Sequence, residues 1–251
     1  MEMRLGLALL AAAVAAPAGA DGASDLARRL ENLHAAAPLA VRLRMDLRLE
    51  RTLHKKTAKG EASLHLDIEE DPAGLRVRWE SGLLRDADEE ERGHDRDPDR
   101  LMPLREGMKE LDAARLGHLL DQAGSLAGLT KSDPAEEVRE AFEGREARRL
   151  VFHFEPRLSW TERYYVRHRE GRLTVWIASD GTPLASESQA TFDGKTSRTF
   201  GRFKGSTTVR TRYATEGERL RVAEREVDER NDRDDAGEME HTWKRFVLEA
   251  R

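Results

Sequence analysis

The chain has 251 residues, of which 36% are charged and 38% are hydrophobic, and its formal net charge is −5. This length fits one β-rich domain, since single all-β domains reach roughly 200–250 residues. The absence of cysteine excludes disulfide scaffolds, thiolate zinc sites, iron–sulfur clusters and cysteine nucleophiles. The negative net charge argues against nucleic acid as a partner, because a nucleic-acid-binding surface is net positive.

Residues 1–20 have the layout of a secretory signal peptide. Arg4 precedes an uncharged apolar run at 5–16, and small residues follow that run. The run is shorter than the roughly 20 residues that span a bilayer, so we do not expect an integral membrane protein. We expect cleavage after Ala20 and a periplasmic or secreted protein formed by residues 21–251.

A short helix is predicted directly after the signal peptide. Ser24 or Asp25 is in position to cap its N-terminus, and Pro38 follows its end. Leucines at positions i, i+4 and i+7 form its apolar stripe: Leu26, Leu30 and Leu33.

Three early segments alternate apolar and polar side chains, which is typical of strands with one buried and one solvated face. They run over 39–50, 62–68 and 75–79, and we predict a meander with loops at 55–60 and 71–74. The polar face of this meander fits either an acidic partner or a solvated outer face that pairs with nearby Asp and Glu. Its arginines are Arg42, Arg44, Arg48, Arg76 and Arg78.

The residue pattern in the middle of the chain changes twice, first to an acidic segment and then to helical spacing. Residues 85–100 contain few apolar side chains and many carboxylates, which predicts an exposed acidic loop. Helical spacing follows, and we predict a helical insert over 104–143, with Asp112 capping one of its helices. The last helix of the insert is predicted to end at Gly144, and its start carries the residues of a capping box: Asp133, Pro134 and Glu136.

From residue 147 onward the pattern is strand after strand. The predicted turns are Glu170-Gly171, Asp180-Gly181, Asp193-Gly194, Glu216-Gly217 and Ala236-Gly237. Counting the early strands, we expect about eleven, at the spacing of an antiparallel sandwich or barrel. No linker divides the chain, so one β-rich domain over 21–251 is favoured.

Common catalytic motifs are absent from the sequence. It has no glycine-rich phosphate loop, no Gly-x-Ser-x-Gly elbow and no paired histidines at helical spacing. We therefore predict a non-enzymatic protein without a cofactor or metal, and an enzyme with an unrecognised pair of carboxylates stays as an alternative. The strand histidines His153, His168 and His241 are read as surface residues rather than a metal cluster.

One acidic pattern has the spacing of a calcium loop. The residues at loop positions 1, 3, 5 and 12 are Asp95, Asp97, Asp99 and Glu106. Arg100 stands where such a loop needs glycine for its sharp turn, so a charged loop without bound calcium is the favoured interpretation.

The apolar face of the predicted sheet has to be buried against other elements. The predicted helices either fill the space over this face or leave a cavity for an apolar ligand. The candidate ligand-binding residues are those of the apolar face and the covering helices: Leu43, Met45, Leu47, Leu64, Leu66, Val77, Leu116, Leu120, Val138 and Phe142.

The stretch from Leu173 to Leu184, Leu-Thr-Val-Trp-Ile-Ala-Ser-Asp-Gly-Thr-Pro-Leu, has a strand, a turn, Pro-Leu and a second strand. In this stretch and in the order of its predicted helices and strands, the chain resembles the LolA-like periplasmic lipoprotein-carrier superfamily, whose relatives include LolB and RseB. The resemblance covers most of 24–249. It implies an N-terminal helix and a curved antiparallel half-barrel whose concave face is covered by helices. No ligand-contacting position of the family is carried over.

The sequence therefore predicts a mainly β fold with a helical insert, a curved antiparallel half-barrel covered by helices. The leading hypothesis is an exported, non-enzymatic protein that binds a lipid, a lipoprotein acyl chain or another apolar molecule, with a carrier role. The alternative is an envelope interaction module with a filled core, whose charged outer face docks a protein partner.

Overall fold

The computed structural model describes residues 21–33, 38–156, 165–195, 201–233 and 237–251. Within these ranges the chain forms five helices and ten strands. In chain order they are α1 (Gly22–Glu31), β1 (Leu39–Leu53), β2 (Lys56–Asp71), β3 (Gly74–Trp79), α2 (Leu83–Arg96), α3 (Pro103–Lys109), α4 (Ala113–Leu120), α5 (Ala123–Leu129), β4 (Glu136–Phe142), β5 (Arg145–Phe154), β6 (Val166–Ile177), β7 (Pro183–Lys195), β8 (Arg202–Glu216), β9 (Arg219–Arg233) and β10 (Glu238–Ala250).

The ten strands form one antiparallel sheet in the order β3-β2-β1-β10-β9-β8-β7-β6-β5-β4. The sheet is curved, and β3 and β4 lie at its two edges without pairing with each other. The prediction of a mainly β, half-barrel-like antiparallel fold covered by helices is therefore confirmed. The predicted signal peptide at 1–20 and Ala236 of the predicted Ala236-Gly237 turn lie outside the described residues.

Alternation along β1 separates the two faces of the sheet. Leu43, Met45 and Leu47 are at most 1% exposed and lie on the face that carries the helices, here called the concave face. The opposite face, here called the outer face, carries Arg42 and Arg44 of the same strand. A side-chain period of two produces this separation wherever one face of a strand is buried.

Two hydrophobic clusters pack the helices onto the concave face. The β1–β2 core lies under α3 and α4, and its main members are Leu43, Met45, Leu47, Leu64, Leu66, Leu116, Leu120 and Leu248. The β5–β6 core lies under α1 and α5, and its main members are Leu26, Leu30, Leu126, Leu150, Phe152, Leu173 and Val175.

Helix α1 is tied to the sheet by polar contacts as well as by its leucines. Its N-cap is Asp21, whose side chain accepts from the backbone N–H of Ala23 at 3.1 Å, so neither Ser24 nor Asp25 has the predicted capping role. Asp25 instead accepts from Arg148 of β5 at 2.6 Å in a buried ion pair. The hydrogen bond from Arg148 lowers the pKa of the Asp25 carboxyl, and the nearby positive charges add to the effect.

The acidic segment at 85–100 was predicted to be a loop, and this was wrong because most of it forms α2. Its Leu, Ala, Glu and Arg residues are good helix formers even though few are apolar. The carboxylate of Glu90 accepts hydrogen bonds from the backbone N–H groups of Leu104 (3.1 Å) and Arg105 (2.9 Å). A distant side chain thus caps the first turn of α3 and holds the two helices together.

The prediction of a helix that ends at Gly144 was also wrong, because Glu136–Phe142 is edge strand β4. Arg149 on the neighbouring strand donates to Glu136 at 2.7 Å and to Glu140 at 3.2 Å. Trp176 donates to Glu140 at 2.7 Å, and its ring lies 5.2 Å from that of Phe142. These cross-strand contacts outweigh the local capping signal, so the helical insert ends at α5 rather than at residue 143.

Two of the predicted turns lie inside strands. Gly171 is in the middle of β6 and Gly194 is near the end of β7. A Cβ at Gly171 would lie 2.6 Å from the ring of Phe154, and one at Gly194 would lie 2.5 Å from the ring of Phe203. These glycines make room for an aromatic ring on the adjacent strand, which is a second use of glycine in sheets.

The predicted loop at 55–60 is shorter than expected. The β1–β2 turn consists of His54 and Lys55, which both have positive φ (48° and 68°), and β2 begins at Lys56. This is the geometry of a two-residue hairpin, so the polar residues that follow the turn continue the strand.

Candidate ligand-binding pocket

A cavity of about 480 Å³ lies between the sheet and helices α4 and α5, where the two cores approach each other. We call it the central pocket. Its sheet side is formed by strands β6 to β10, and its helix side by apolar and polar residues of α4, α5 and the segments next to them. The apolar lining consists of Leu119, Leu126, Leu129, Leu173, Val209, Val227 and Phe246.

Short side chains on the sheet leave this space open. Ser186 and Ser188 of β7 and Thr211 of β8 line the pocket. At the β1–β2 core, by contrast, leucine lies on the sheet and Gly107 of α3 faces it, so closely that a Cβ at Gly107 would be 2.7 Å from Leu64. Side-chain volume on the strands and the distance of the covering helix together decide whether the concave face is filled.

Arg225 of β9 lines the pocket and is held in one orientation. Its Nε donates to Thr211 Oγ1 at 3.2 Å and its Nη2 to Gln122 Oε1 at 2.6 Å. Gln122 is itself fixed, because its side-chain amide donates to the His118 carbonyl and its backbone N–H donates to Leu220 at 2.8 Å. Within the described residues, Arg225 Nη1 makes no hydrogen bond, so this end of the guanidinium remains available.

The other charges of the lining pair with one another. Lys244 lies 3.3 Å from both Glu110 and Glu229, and Arg115 lies 2.8 Å from Glu110. In the described part of the chain, no carboxylate is within ion-pair distance of Arg225. Burial lowers the pKa of Arg225, but an arginine stays protonated at neutral pH. Three cations therefore face two carboxylates around the pocket.

Tyr213 supplies a neutral polar group beside Arg225. Its hydroxyl lies 2.7 Å from the hydroxyl of Ser186. Burial raises the pKa of Tyr213, so the phenol stays protonated at neutral pH and does not neutralise the arginine.

The ten candidate residues from the sequence all lie outside the central pocket. Seven of them are at most 2% exposed and fill the β1–β2 core: Leu43, Met45, Leu47, Leu64, Leu66, Leu116 and Leu120. Val77 packs against the same core and is partly buried. Val138 and Phe142 lie on the outer face of β4, because that segment is a strand and not a covering helix.

Sequence reasoning missed Ser188 and Arg225. The signal for Ser188 is that small hydroxyl residues replace aliphatic ones at alternating positions of β7. Arg225 could not be placed on a face because β9 has a bulge opposite Arg212 and Tyr213, which shifts the alternation by one residue.

Four of the five outer-face arginines pair with neighbouring carboxylates, as expected for a solvated charged face, and within the described residues Arg78 makes no ion pair. The ion pairs are Arg42–Asp67 (3.2 Å), Arg44–Asp46 (3.1 Å), Arg48–Glu61 (3.5 Å) and Arg76–Asp71 (2.6 Å).

Acidic and histidine side chains do not assemble into a metal site in the part of the chain that the structure describes. Of the calcium-loop residues, Asp97 accepts from the backbone of Asp99 at 3.2 Å, while Glu106 pairs with Lys109 at 2.7 Å. His241 lies 3.2 Å from Asp228. The described helices also include none long and apolar enough for a membrane crossing.

Two larger grooves have a more charged lining than the central pocket. One, of about 1110 Å³, is formed by residues such as His168, Asp193 and Lys204. The other, of about 1070 Å³, lies between the β1–β2 hairpin and the α2–α3 connection. The first groove has no wall of helix residues. The second has apolar residues on both sides, such as Leu49 and Leu101, but they lie among many charged side chains, which suits an apolar ligand less well.

Comparison with known proteins assigns no family to this chain. No protein-family profile matches it, and no curated protein matches it. A solved structure of a DUF1329 family protein from Desulfovibrio piger matches at 13% identity, over 92% of this chain and 93% of that chain, with a TM-score of 0.25. A likeness at this level transfers no function.

Proposed function

We propose that this chain is an exported, non-enzymatic protein that binds an apolar ligand, a lipid or a lipoprotein acyl chain, in the central pocket and acts as its carrier. The observation that carries the proposal is the pocket itself, an unfilled space of about 480 Å³ with apolar walls on both sides. Pockets for single small molecules range over roughly 300–1,000 Å³. Export rests on the signal-peptide pattern of residues 1–20.

The energetics favour an acyl chain in this space. Each methylene group moved from water to an apolar wall contributes about 0.8 kcal/mol. Leu119 and Leu126 on the helices face Val209 and Leu173 on the sheet, so a chain between them contacts hydrocarbon on two sides.

A carrier has to release its ligand, and the pocket supports this because it is open to solvent. Leu129 at the end of α5 lines the pocket and is 40% exposed. An apolar side chain that is partly solvated at a pocket mouth gives a ligand an exit that does not require unfolding of the cores.

Filling the pocket tests the proposal. Ser188→Phe places a ring in the pocket, while Gln189→Phe places the same ring on the outer face of the same strand. The fluorescent apolar probe 1-N-phenylnaphthylamine is titrated into both variants and the unaltered chain. We expect Ser188→Phe to weaken binding at least tenfold and Gln189→Phe to leave it within about threefold. Equal binding by the two folded variants would refute the central pocket as the site.

A further inference from the structure

We propose that Arg225 recognises the carboxylate of a single-chain amphiphile, so that the ligand of the central pocket is a fatty acid with its head group on the guanidinium and its chain along the apolar walls. This inference rests on the proposed function and names its ligand class. It follows from the position of one oriented cation in a largely apolar pocket whose other Lys, Arg and Glu side chains pair with one another.

The guanidinium is built to receive an anion. Thr211 and Gln122 hold two of its nitrogens, which fixes the plane of the group, and Nη1 has no hydrogen-bond partner within the described residues. A carboxylate forms short, charge-assisted hydrogen bonds with a guanidinium, and pre-orientation lowers the entropy lost on binding. A cation in a poorly solvated site is costly unless an anion lies beside it, so the position of Arg225 favours an anionic ligand.

The charge balance of the lining favours a carboxylate over a phosphate monoester. Lys244 and Arg115 are already engaged by Glu110 and Glu229, and Arg225 leaves one positive charge in excess. A carboxylate carries one negative charge, whereas a phosphate monoester carries about 1.5 to 2 at neutral pH. The cavity volume likewise suits a ligand with one acyl chain better than one with three.

The test compares ligands that differ only in the head group. Palmitate, methyl palmitate and hexadecyl phosphate compete with 1-N-phenylnaphthylamine at pH 8, on the complete chain from residue 21 onward. We expect palmitate to bind about 10- to 100-fold more tightly than its methyl ester, the range for a hydrogen bond to a charged group. This arm needs no variant, so a folding defect cannot obscure it.

The second arm compares Arg225 with an arginine on the outer face. Arg225→Met is expected to reduce palmitate affinity by about 10- to 100-fold and to leave methyl palmitate within about threefold. Arg210→Met serves as the control, because Arg210 lies outside the pocket lining and pairs with Glu187, and it should retain the preference for the acid. Circular dichroism establishes that both variants are folded.

The outcomes separate the inference from the function on which it rests. Equal affinity of the unaltered chain for the acid and its ester would overturn the role of Arg225 and leave apolar binding intact. Tighter binding of hexadecyl phosphate than of palmitate would overturn the choice of a carboxylate. Failure to bind any of the three compounds, or the probe, would overturn the proposed function itself.

Discussion

The β1–β2 core and the central pocket lie on the same concave face of one sheet, yet one is filled and the other is open. In the core, leucines of both strands meet helix α3 at Gly107, and no space remains. In the pocket, Ser188 and Thr211 occupy the sheet and a guanidinium lies among them. The difference shows that the alternation of apolar and polar residues decides which face of a strand is buried. The volume of the buried side chains decides whether the space between that face and the helices is filled.

The largest expected difference in stability between the two regions comes from truncating a side chain in the β1–β2 core. Leu64→Ala removes a side chain that is 0% exposed, so we expect a loss of about 2–5 kcal/mol of unfolding free energy from the cavity it creates. Leu129→Ala, at the pocket mouth and 40% exposed, should cost less than about 1 kcal/mol. Urea denaturation of both variants measures the contrast, and equal losses would show that the two regions are packed alike.

An intermediate effect is expected from overpacking. Gly107→Ala puts a methyl group 2.7 Å from Leu64, whereas Gly117→Ala on α4 meets no atom within 4 Å. Both changes gain the same helix propensity, so their difference isolates the packing cost, about 1–3 kcal/mol. Thermal unfolding of the pair is the measurement. A Gly107→Ala protein as stable as Gly117→Ala would mean that α3 does not press on the sheet.

The smallest expected effect is a change in the pH dependence of stability at acid pH, and it concerns the ion pair between α1 and the sheet. The pKa of Asp25 is lowered by Arg148 in the folded chain. A lowered carboxyl pKa stabilises the fold above the unfolded value, near 4, and this stabilisation disappears as pH falls through the folded value.

Asp25→Asn should therefore lower Tm by a constant amount from pH 7 down to about pH 5, and the gap from the unaltered chain should close below about pH 4. Asp133→Asn is the matched control, because Asp133 is exposed and makes no ion pair within the described residues. A gap that stays constant down to pH 2 would show that the pKa of Asp25 is the same in the folded and the unfolded chain, and so that its ion pair with Arg148 does not stabilise the fold.

Much of the sheet could be predicted from the sequence, and particular residues show why. The alternation of Leu43, Met45 and Leu47 survives in the fold because burial on one face dictates it directly. The segment around Glu136 could not be predicted, because its state depends on a partner outside that segment, Arg149. Helix α2 was missed because its residues are good helix formers but few of them are apolar. Local signals decide an element only where no stronger tertiary contact competes.

The candidate site was harder to predict than the fold. The ten residues chosen from the sequence mark the most apolar positions, which are also the positions that fill a core. A pocket needs the opposite, small or polar residues such as Ser188 at inward positions. The bulge in β9 shifts the alternation of inward and outward residues by one position. The sequence pattern therefore does not indicate that Arg225 lies on the concave face, whereas the strand register in the structure does.

The most direct test of an occupied central pocket is native mass spectrometry of the protein purified from the envelope of cells that export it. We expect the unaltered chain to carry one acyl-bearing molecule that organic solvent extracts, and the Ser188→Phe chain to lack it while the Gln189→Phe chain keeps it. An unaltered chain that carries no such molecule, or a Ser188→Phe chain that carries the same one in the same amount, would contradict ligand binding in the central pocket.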